Sequence, residues 1–110
     1  MLGGDIMNPG KLNKLIDIYK KTITQDSELN PIETWLKIDT IWADVLSKTS
    51  SQYYRAATIN SQIEEVFHIR YRKIDGRMRI KFKQRTYEIV GIENVDENNV
   101  EMFISAKGVV

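Results

Sequence analysis

The residues of this chain that could take part in catalysis or metal binding are few and scattered. His68 is the only histidine and there is no cysteine, so a zinc site would need further ligands from carboxylates. Those carboxylates fall in an acidic turn around Asp96, and no partner that would orient His68 as a general base is evident. A lone histidine is more often a structural or surface residue than a metal ligand or a general base. The sequence therefore predicts no catalytic or zinc site, with His68 on the basic face of a strand.

Two further kinds of binding chemistry are also incomplete. Asp96-Glu97-Asn98-Asn99 offers the oxygen ligands that calcium prefers, but it lacks the spacing and the terminal bidentate glutamate of a calcium-binding loop. The six glycines stand singly apart from Gly3-Gly4, so no glycine-rich loop could hold a phosphate. We therefore expect a solvated turn at 96–99, no metal, no cofactor and no enzymatic activity.

A strong charge pattern marks the second half of the chain. On both sides of Asp75-Gly76, apolar and basic residues alternate with a period of two, which predicts a hairpin of strands with one apolar and one cationic face. Eight residues between Arg70 and Arg85 are basic, whereas Glu88 to Glu101 holds five acids and no base. The cationic face is predicted from Arg70, Arg72, Arg77, Arg79, Lys81, Lys83 and Arg85 on adjacent strands.

Several interpretations of these charges remain open. A basic sheet face could bind nucleic acid with Tyr71 or Tyr87 stacking on bases, although no aromatic residue is interleaved on the charged face itself. A solvated face or a protein interface shows the same alternation. If the basic face of one copy meets the acidic region of the next, the contact closes into a ring or runs on as a filament. Trp35 and Trp42 fit buried contacts better than ligand stacking, although an exposed tryptophan would suit an interface.

Length and composition predict a single domain. At 110 residues with a net charge of +1, the chain supports one modest core, expected over 8–110 after a flexible arm or cloning remnant at 1–7. Its apolar runs fall far short of the roughly 20 residues that cross a bilayer, and no signal peptide is apparent. The absence of cysteine suits assembly in a reducing, cytoplasmic compartment.

The apolar pattern predicts a mainly β fold. Short hairpin-connected strands favour closure into a small six-stranded barrel, which removes exposed strand edges. The period of 32–46 also fits a helix, but its β-branched and aromatic residues favour two strand pieces joined by a bulge or bend. Gly91 indicates a second bulge. The strands are expected at 12–24, 32–46, 64–73, 77–83, 86–93 and 100–106.

The segment Lys48 to Ser61 differs from its surroundings. Ser50-Ser51 could cap a helix, and the residues that follow include several helix formers with few apolar anchors. A connection of this length between two strands is often functional. We therefore predict a long, partly helical and mobile loop between the second and third strands.

Several short motifs follow one another in a characteristic order. They are Gly10-Lys11-Leu12, Trp35, Trp42-Ala43-Asp44-Val45, Tyr53-Tyr54-Arg55-Ala56-Ala57, Ile69-Arg70-Tyr71-Arg72, Met78-Arg79-Ile80 and Tyr87-Glu88-Ile89. Their order and spacing resemble the phage head-tail joining family, the head-closure or stopper proteins of long-tailed bacteriophages and prophages. The resemblance covers nearly all of the chain from Asn8 onward, and the family implies a small β-barrel without catalysis.

The resemblance also implies a structural role in the virion, at the head-tail interface. Copies that can be monomeric in solution would form a twelvefold ring below the portal and adaptor proteins, retain packaged DNA non-specifically and offer tail proteins an attachment surface. The stopper loop in the channel would comprise Gln52, Tyr53, Tyr54, Arg55, Ala56, Ala57 and Thr58. Ring or adaptor contacts are expected at Arg70, Arg72, Arg79, Lys81, Glu88 and Glu97.

Two alternatives remain at this stage. Small ring-forming β proteins also serve as tail-terminator or tail-completion proteins, and the sequence does not separate these roles from head closure. The alternative from another class is a small nucleic-acid-binding β-barrel, for which strong and salt-dependent affinity for free DNA would be the sign.

Overall fold

A computed structural model describes residues 12–109, and the arm expected at 1–7 lies outside this range. All neighbouring strands are antiparallel and close into a barrel in the order β1-β2-β3-β6-β5-β4. The predicted six-stranded barrel with a partly helical connection between the second and third strands is confirmed. The elements are β1 (Lys14–Gln25), β2 (Pro31–Val45), α1 (Ser51–Ile59), β3 (Glu65–Arg70), β4 (Arg79–Phe82), β5 (Arg85–Asn94), a 3-10 turn (Val95–Glu97) and β6 (Glu101–Gly108).

The interior of the barrel is filled by alternate residues of all six strands. Phe67 of β3 lies at its centre, with its ring edge-on to Phe82 at 5.8 Å and to Tyr87 at 5.9 Å between centroids. Burial of every second residue is what the period of two in the sequence predicts. The core comprises Ile16, Ile18, Ile41, Ala43, Phe67, Ile69, Ile80, Phe82, Tyr87, Ile89, Met102, Ile104 and Ala106.

The predicted hairpin at Asp75-Gly76 is wrong, because β3 and β4 are not neighbours. β3 pairs with β6, where Phe67 faces Ile104 and Ile69 faces Met102, so its apolar residues match those of another strongly apolar strand. Among the described residues no glycine has a positive φ, and the Asp75 carboxylate instead accepts the Arg77 N–H at 2.8 Å. Residues 71–78 therefore connect two strands that are separated in the sheet, and no continuous cationic face forms across them.

The tight two-residue hairpin lies between β4 and β5 instead. Lys83 and Gln84 both have positive φ, 52° and 65°, as the central residues of a type I′ turn do. The strand bounds expected from the sequence, 77–83 and 86–93, imply a turn at Gln84-Arg85, one residue later than the structure has it. The two expected bulges are confirmed. The register shifts between Ile18 and Tyr19 of β1, where Ile38 is the extra residue of an otherwise continuous β2, and between Ile89 and Gly91 of β5, where Val90 is the extra residue.

β1 and β2 continue beyond the barrel as a two-stranded ribbon. β1 pairs with β4 only over residues 17–19, and β2 pairs with β3 only at residues 44–45. Residues 20–25 and 31–36 therefore pair only with each other, in six pairs that extend roughly 20 Å. The turn 26–30 closes the ribbon. This projection accounts for the elongated shape of the described chain, 58 × 31 × 25 Å.

The alternating strand directions fix which connections share an end of the barrel. The ribbon, the crossing 71–78 and the β5–β6 turn lie at one end, whereas α1 connects β2 to β3 at the other. The ribbon and α1 thus leave the barrel from opposite ends. No helix in the described part of the chain has the length and apolar character needed to cross a membrane.

Truncation of a core isoleucine should lower the free energy of unfolding much more than the same change on the ribbon. Ile80 is fully buried, whereas Ile23 is 69% exposed. We expect Ile80→Ala to lower the free energy of unfolding by about 2–5 kcal/mol because it leaves a cavity, and Ile23→Ala to change it by no more than about 0.5 kcal/mol. Urea unfolding of the two variants measures both values, and equal losses would contradict the assignment of the core.

The ribbon turn should weaken in acid. The pKa of Asp26 is lowered chiefly by the backbone N–H of Asn30, which donates to its carboxylate at 2.9 Å, and further by the N–H of Glu28 at 2.8 Å. Because the folded pKa lies below the unfolded one, the stabilisation is present above the unfolded pKa and is lost as pH falls through the folded value.

NMR titration of the Glu28 and Asn30 amides tests this expectation. Their shifts should follow an Asp26 titration below the ordinary aspartate pKa, and Asp26→Asn should abolish that titration. An Asp26 titration at its ordinary pKa would contradict it.

Candidate functional site

The predicted mobile segment contains a short helix on the outside of the barrel. α1 begins after Ser50, whose Oγ accepts the Tyr53 N–H at 3.2 Å, as an N-cap serine does. It ends at Asn60, whose N–H donates to the Ala56 carbonyl at 3.0 Å. None of the helix residues is buried. α1 therefore covers the barrel without contributing to its interior.

Two side-chain contacts attach α1 to the barrel and its connection. The Tyr53 hydroxyl donates to the Ile63 carbonyl at 3.1 Å, and the Arg55 guanidinium meets the Glu93 carboxylate at 3.0 Å. The ion pair is exposed on both sides, at 63% and 52%, so it adds little stability. Between helix and sheet lies an apolar cleft lined by Ala56, Ile59, Ile63, Val66, Val90, Ile92 and Phe103 among others.

Two large apolar side chains of α1 are exposed and available for contact with another molecule. Tyr54 on the outer face is 73% exposed, and Ile59, which also lines the cleft, is 83% exposed. Thr58 is also exposed, with its hydroxyl donating to the Tyr54 carbonyl at 2.8 Å. Gln52, Ala56 and Ala57 are half-buried. The seven predicted loop residues therefore divide into an outward group and a group facing the barrel.

The predicted basic contact residues fall into two separate groups. Arg70 lies opposite Glu101 on β6, and Arg72 forms an ion pair with Asp39 of β2. Arg79 and Lys81 are on β4, which is separated from β3 by β6 and β5 in one direction around the barrel and by β2 and β1 in the other. The Arg79 guanidinium lies 4.2 Å from the centroid of the Trp35 ring. Three more predicted basic residues also have contacts within the chain: Arg77 with Asp75, Lys83 with the Phe82 ring and Arg85 with Glu64.

The acidic region is likewise divided. Glu88 pairs with Lys107 at 3.4 Å, Glu93 with Arg55, and Glu101 with His68. Asp96 and Glu97 remain exposed in the turn before β6, and the described residues provide no ion pair for either. A ring contact between opposed charge faces, as the sequence suggested, would thus have few free charges on its acidic side.

The two tryptophans lie at the surface of the barrel rather than in its core. Trp35 is half-buried on the ribbon, beneath Arg79 and 6.0 Å from the Lys21 ammonium. Trp42 is 55% exposed and lines a cleft with Arg70 and Arg72. A core position is therefore wrong for Trp42, because its position on β2 faces outward while Ile41 and Ala43 face the core, and its exposure is what the interface alternative describes.

His68 has a partner that the sequence did not reveal. Its Nε2 lies 2.8 Å from Oε1 of Glu101, and its ring stacks on Phe103 with centroids 4.4 Å apart. Glu101 is only 6% exposed, and its Oε2 has no hydrogen-bond partner in the structure. The two residues are 33 positions apart and meet only because β3 pairs with β6.

Among the described residues, the contacts of the His68–Glu101 pair include no nucleophile: His68 meets Glu101 and the Phe103 ring. Within residues 12–109 no cluster of three or more histidines and carboxylates is arranged to hold a metal ion. A base and its orienting carboxylate without a nucleophile do not make a hydrolytic site. The pair is best described as a contact that links β3 to β6 on the outer wall.

Comparisons with known proteins identify relatives over nearly the whole chain. A search among curated proteins finds no match. The chain is similar to the solution structure of protein SF1141 from Shigella flexneri 2a, with 27% identity and a TM-score of 0.69, covering 93% of this chain and 96% of that one.

A second solved structure shares the fold. It is a chain of the virion of a native gene transfer agent particle, with 15% identity and a TM-score of 0.58, covering 90% of this chain and 96% of that one. The sequence model of the phage head completion protein family matches residues 7–108. The resemblance noted from the motifs is thereby confirmed: this chain belongs to the phage head completion protein family and is a structural protein of the virion.

Proposed function

We propose that this chain is the head-closure, or stopper, subunit of a tailed phage or prophage. Copies form a ring below the portal and adaptor proteins, retain the packaged DNA and present the surface to which the tail attaches. The observation that carries this proposal is that α1 lies on the outside of a complete barrel with no buried residue of its own. A segment placed in this way is free to serve as a plug without a role in the core.

The energetics of α1 favour such movement. A hydrogen bond such as that of Tyr53 contributes about 0.5–1.5 kcal/mol, and an exposed ion pair such as Arg55–Glu93 about 0–1 kcal/mol. The barrel core contains thirteen buried apolar residues and none of them comes from α1. Local opening of the helix thus costs much less than unfolding of the barrel, as is typical of segments that move in function.

The chemistry of the segment suits obstruction rather than catalysis. Several copies that place Tyr54 and Ile59 around a common axis would narrow the channel, and Arg55, once released from Glu93, would offer positive charge to the DNA backbone. Release of DNA then requires a shift between two positions of the segment, driven by a signal from the tail. No covalent bond has to break.

The alternative of a nucleic-acid-binding barrel loses its main support. That alternative rested on a continuous basic face, and the strand order separates the basic residues of β3 from those of β4. Several of the guanidinium groups are also paired with carboxylates of the same chain. We therefore expect free DNA to bind weakly.

The other alternative is a tail-completion protein. A small β protein could serve in either role, and the two roles differ in the position of the protein along the particle.

Removal of the plug should release the genome but leave the fold intact. We expect particles that carry the chain without Gln52 to Ile59 to contain the protein at the normal level and to lose their DNA. The matched control replaces 52–59 by glycine and serine residues at constant length, which keeps the connection and removes its side chains. Nuclease sensitivity of the packaged DNA is the measurement, and thermal unfolding of each purified variant confirms the barrel. Particles that retain protected DNA in both variants would contradict the proposal.

Attachment of the helix can be tested on adjacent residues with the same chemical change. Tyr53→Phe removes the hydroxyl that donates to Ile63, whereas Tyr54→Phe removes a hydroxyl from an exposed ring. We expect amide exchange in α1 to accelerate by about threefold to tenfold in the first variant, which corresponds to about 0.6–1.4 kcal/mol. The second variant should exchange like the original chain. Equal exchange in both variants would show that Tyr53 does not hold the helix.

A further inference from the structure

The ribbon has a free strand edge on each of its two sides. In the described part of the chain, no strand lies beside residues 20–25 of β1 or residues 31–36 of β2 on their outer sides. Each edge presents backbone N–H and C=O groups that pair readily with another strand. Isolated two-stranded hairpins are at best marginally stable, so a ribbon of six residue pairs gains from additional strands.

Apolar side chains are concentrated on the same ribbon. Ile23 is 69%, Leu29 71% and Leu36 57% exposed, and Ile32 is 43% exposed. Residues 20–36 also include three threonines and Trp35, which are frequent in paired strands. None of these side chains belongs to the barrel core, so a contact with another molecule could cover them without disturbing the core. The composition fits a surface that a further strand would cover.

Charge is segregated between the two edges. Residues 20–25 carry Lys20 and Lys21 and no acid, whereas residues 31–36 carry Glu33 and no base. Within one ribbon Lys21 already meets Glu33 at 2.9 Å, and the pKa of Glu33 is lowered by this contact. Both side chains remain about half exposed, at 45% and 60%. The β1 edge of one ribbon is therefore complementary in charge to the β2 edge of another.

We infer that the ribbon is a contact between copies of this chain, in which residues 20–25 of one copy add as an antiparallel strand to residues 31–36 of the next. With the ribbons along the ring axis, rotation keeps every β1 in one direction and every β2 in the other, so neighbouring edges meet antiparallel. The contact is heterologous, and such contacts form a ring where the rotation between copies closes. This inference rests on the ring assembly of the proposed function and specifies its subunit contact.

The alternative symmetric pairings are disfavoured by charge. Two β1 edges would bring the lysines at 20 and 21 of both copies together, and two β2 edges would bring Glu33 close to Glu33. Pairing of β1 with β2 instead extends the Lys21–Glu33 arrangement from one ribbon to the next. The lysines and Pro31 also limit indiscriminate pairing of isolated copies, as charged residues and proline do on other edge strands.

Disulfide trapping tests this contact directly, because the chain contains no cysteine. Thr22 and Thr34 lie opposite each other within one ribbon, so they should also lie opposite each other between copies if the same register is repeated. One variant carries Thr22→Cys, and the other carries Thr34→Cys with a tag that alters its mass. Particles from cells that produce both variants, and concentrated mixtures of the two purified proteins, are treated with an oxidant.

We expect mixed disulfide dimers and few dimers of either variant with itself. Ser61→Cys, exposed near α1, replaces Thr22→Cys as the matched control and should give no mixed dimer. Dimers of the Thr22 variant with itself would indicate symmetric β1 pairing and overturn the inference. So would the absence of mixed dimers from particles that contain both variants. If the chain is missing from particles, the proposed function fails, and the concentrated mixture alone then decides the ribbon contact.

A charge exchange between the two copies provides a second readout. Lys21→Glu added to the Thr22→Cys copy places two acids opposite each other and should lower mixed-dimer yield by about threefold. Glu33→Lys added to the Thr34→Cys copy should restore the yield, because the charges are again opposite. A mixed-dimer yield that is unaffected by either substitution would contradict pairing between the β1 and β2 edges.

Discussion

The closure of six strands around Phe67 is the constraint on which the rest of the structure depends. It requires β3 to lie between β2 and β6, because only that order brings Phe67 and Ile69 against Ile104 and Met102. The apolar residues that fill the interior come from the six strands, and α1 contributes none of them. α1 and the ribbon are therefore free to evolve for contacts with other molecules. Their exposed apolar side chains are consistent with that division of roles.

The same topology separates these two elements in space. With alternating strand directions, the connection that carries α1 must leave the barrel at the end opposite the ribbon. A subunit of this form suits a junction, because one end can hold the assembly together while the other changes conformation. Membership of the phage head completion family places the chain in the virion. Its two functional ends are then the ribbon contact and the stopper segment that we propose.

The sequence predicted the parts of this fold that depend on local pattern. The period of two located the strands and most of the core, Gly91 marked a bulge, and Ser50 marked the helix start. Pairing between distant strands was not encoded in any local pattern, so the order of β3 and β4 and the His68–Glu101 contact were missed. The turn between β4 and β5 was expected at Gln84-Arg85 and lies one residue earlier, at Lys83-Gln84, whose residues are atypical for type I′ geometry. Intrachain ion pairs then divided the charge faces that the composition had suggested.

Electron microscopy of intact particles at side-chain resolution tests the central claim most directly, since it locates every segment of the chain relative to the head-tail axis. The account predicts a ring of unchanged barrels in which 48–61 has left Glu93 and Phe103 and points toward the channel. A ring in which α1 remains against the barrel on the outer surface of the particle, with the channel closed by another protein, would contradict it.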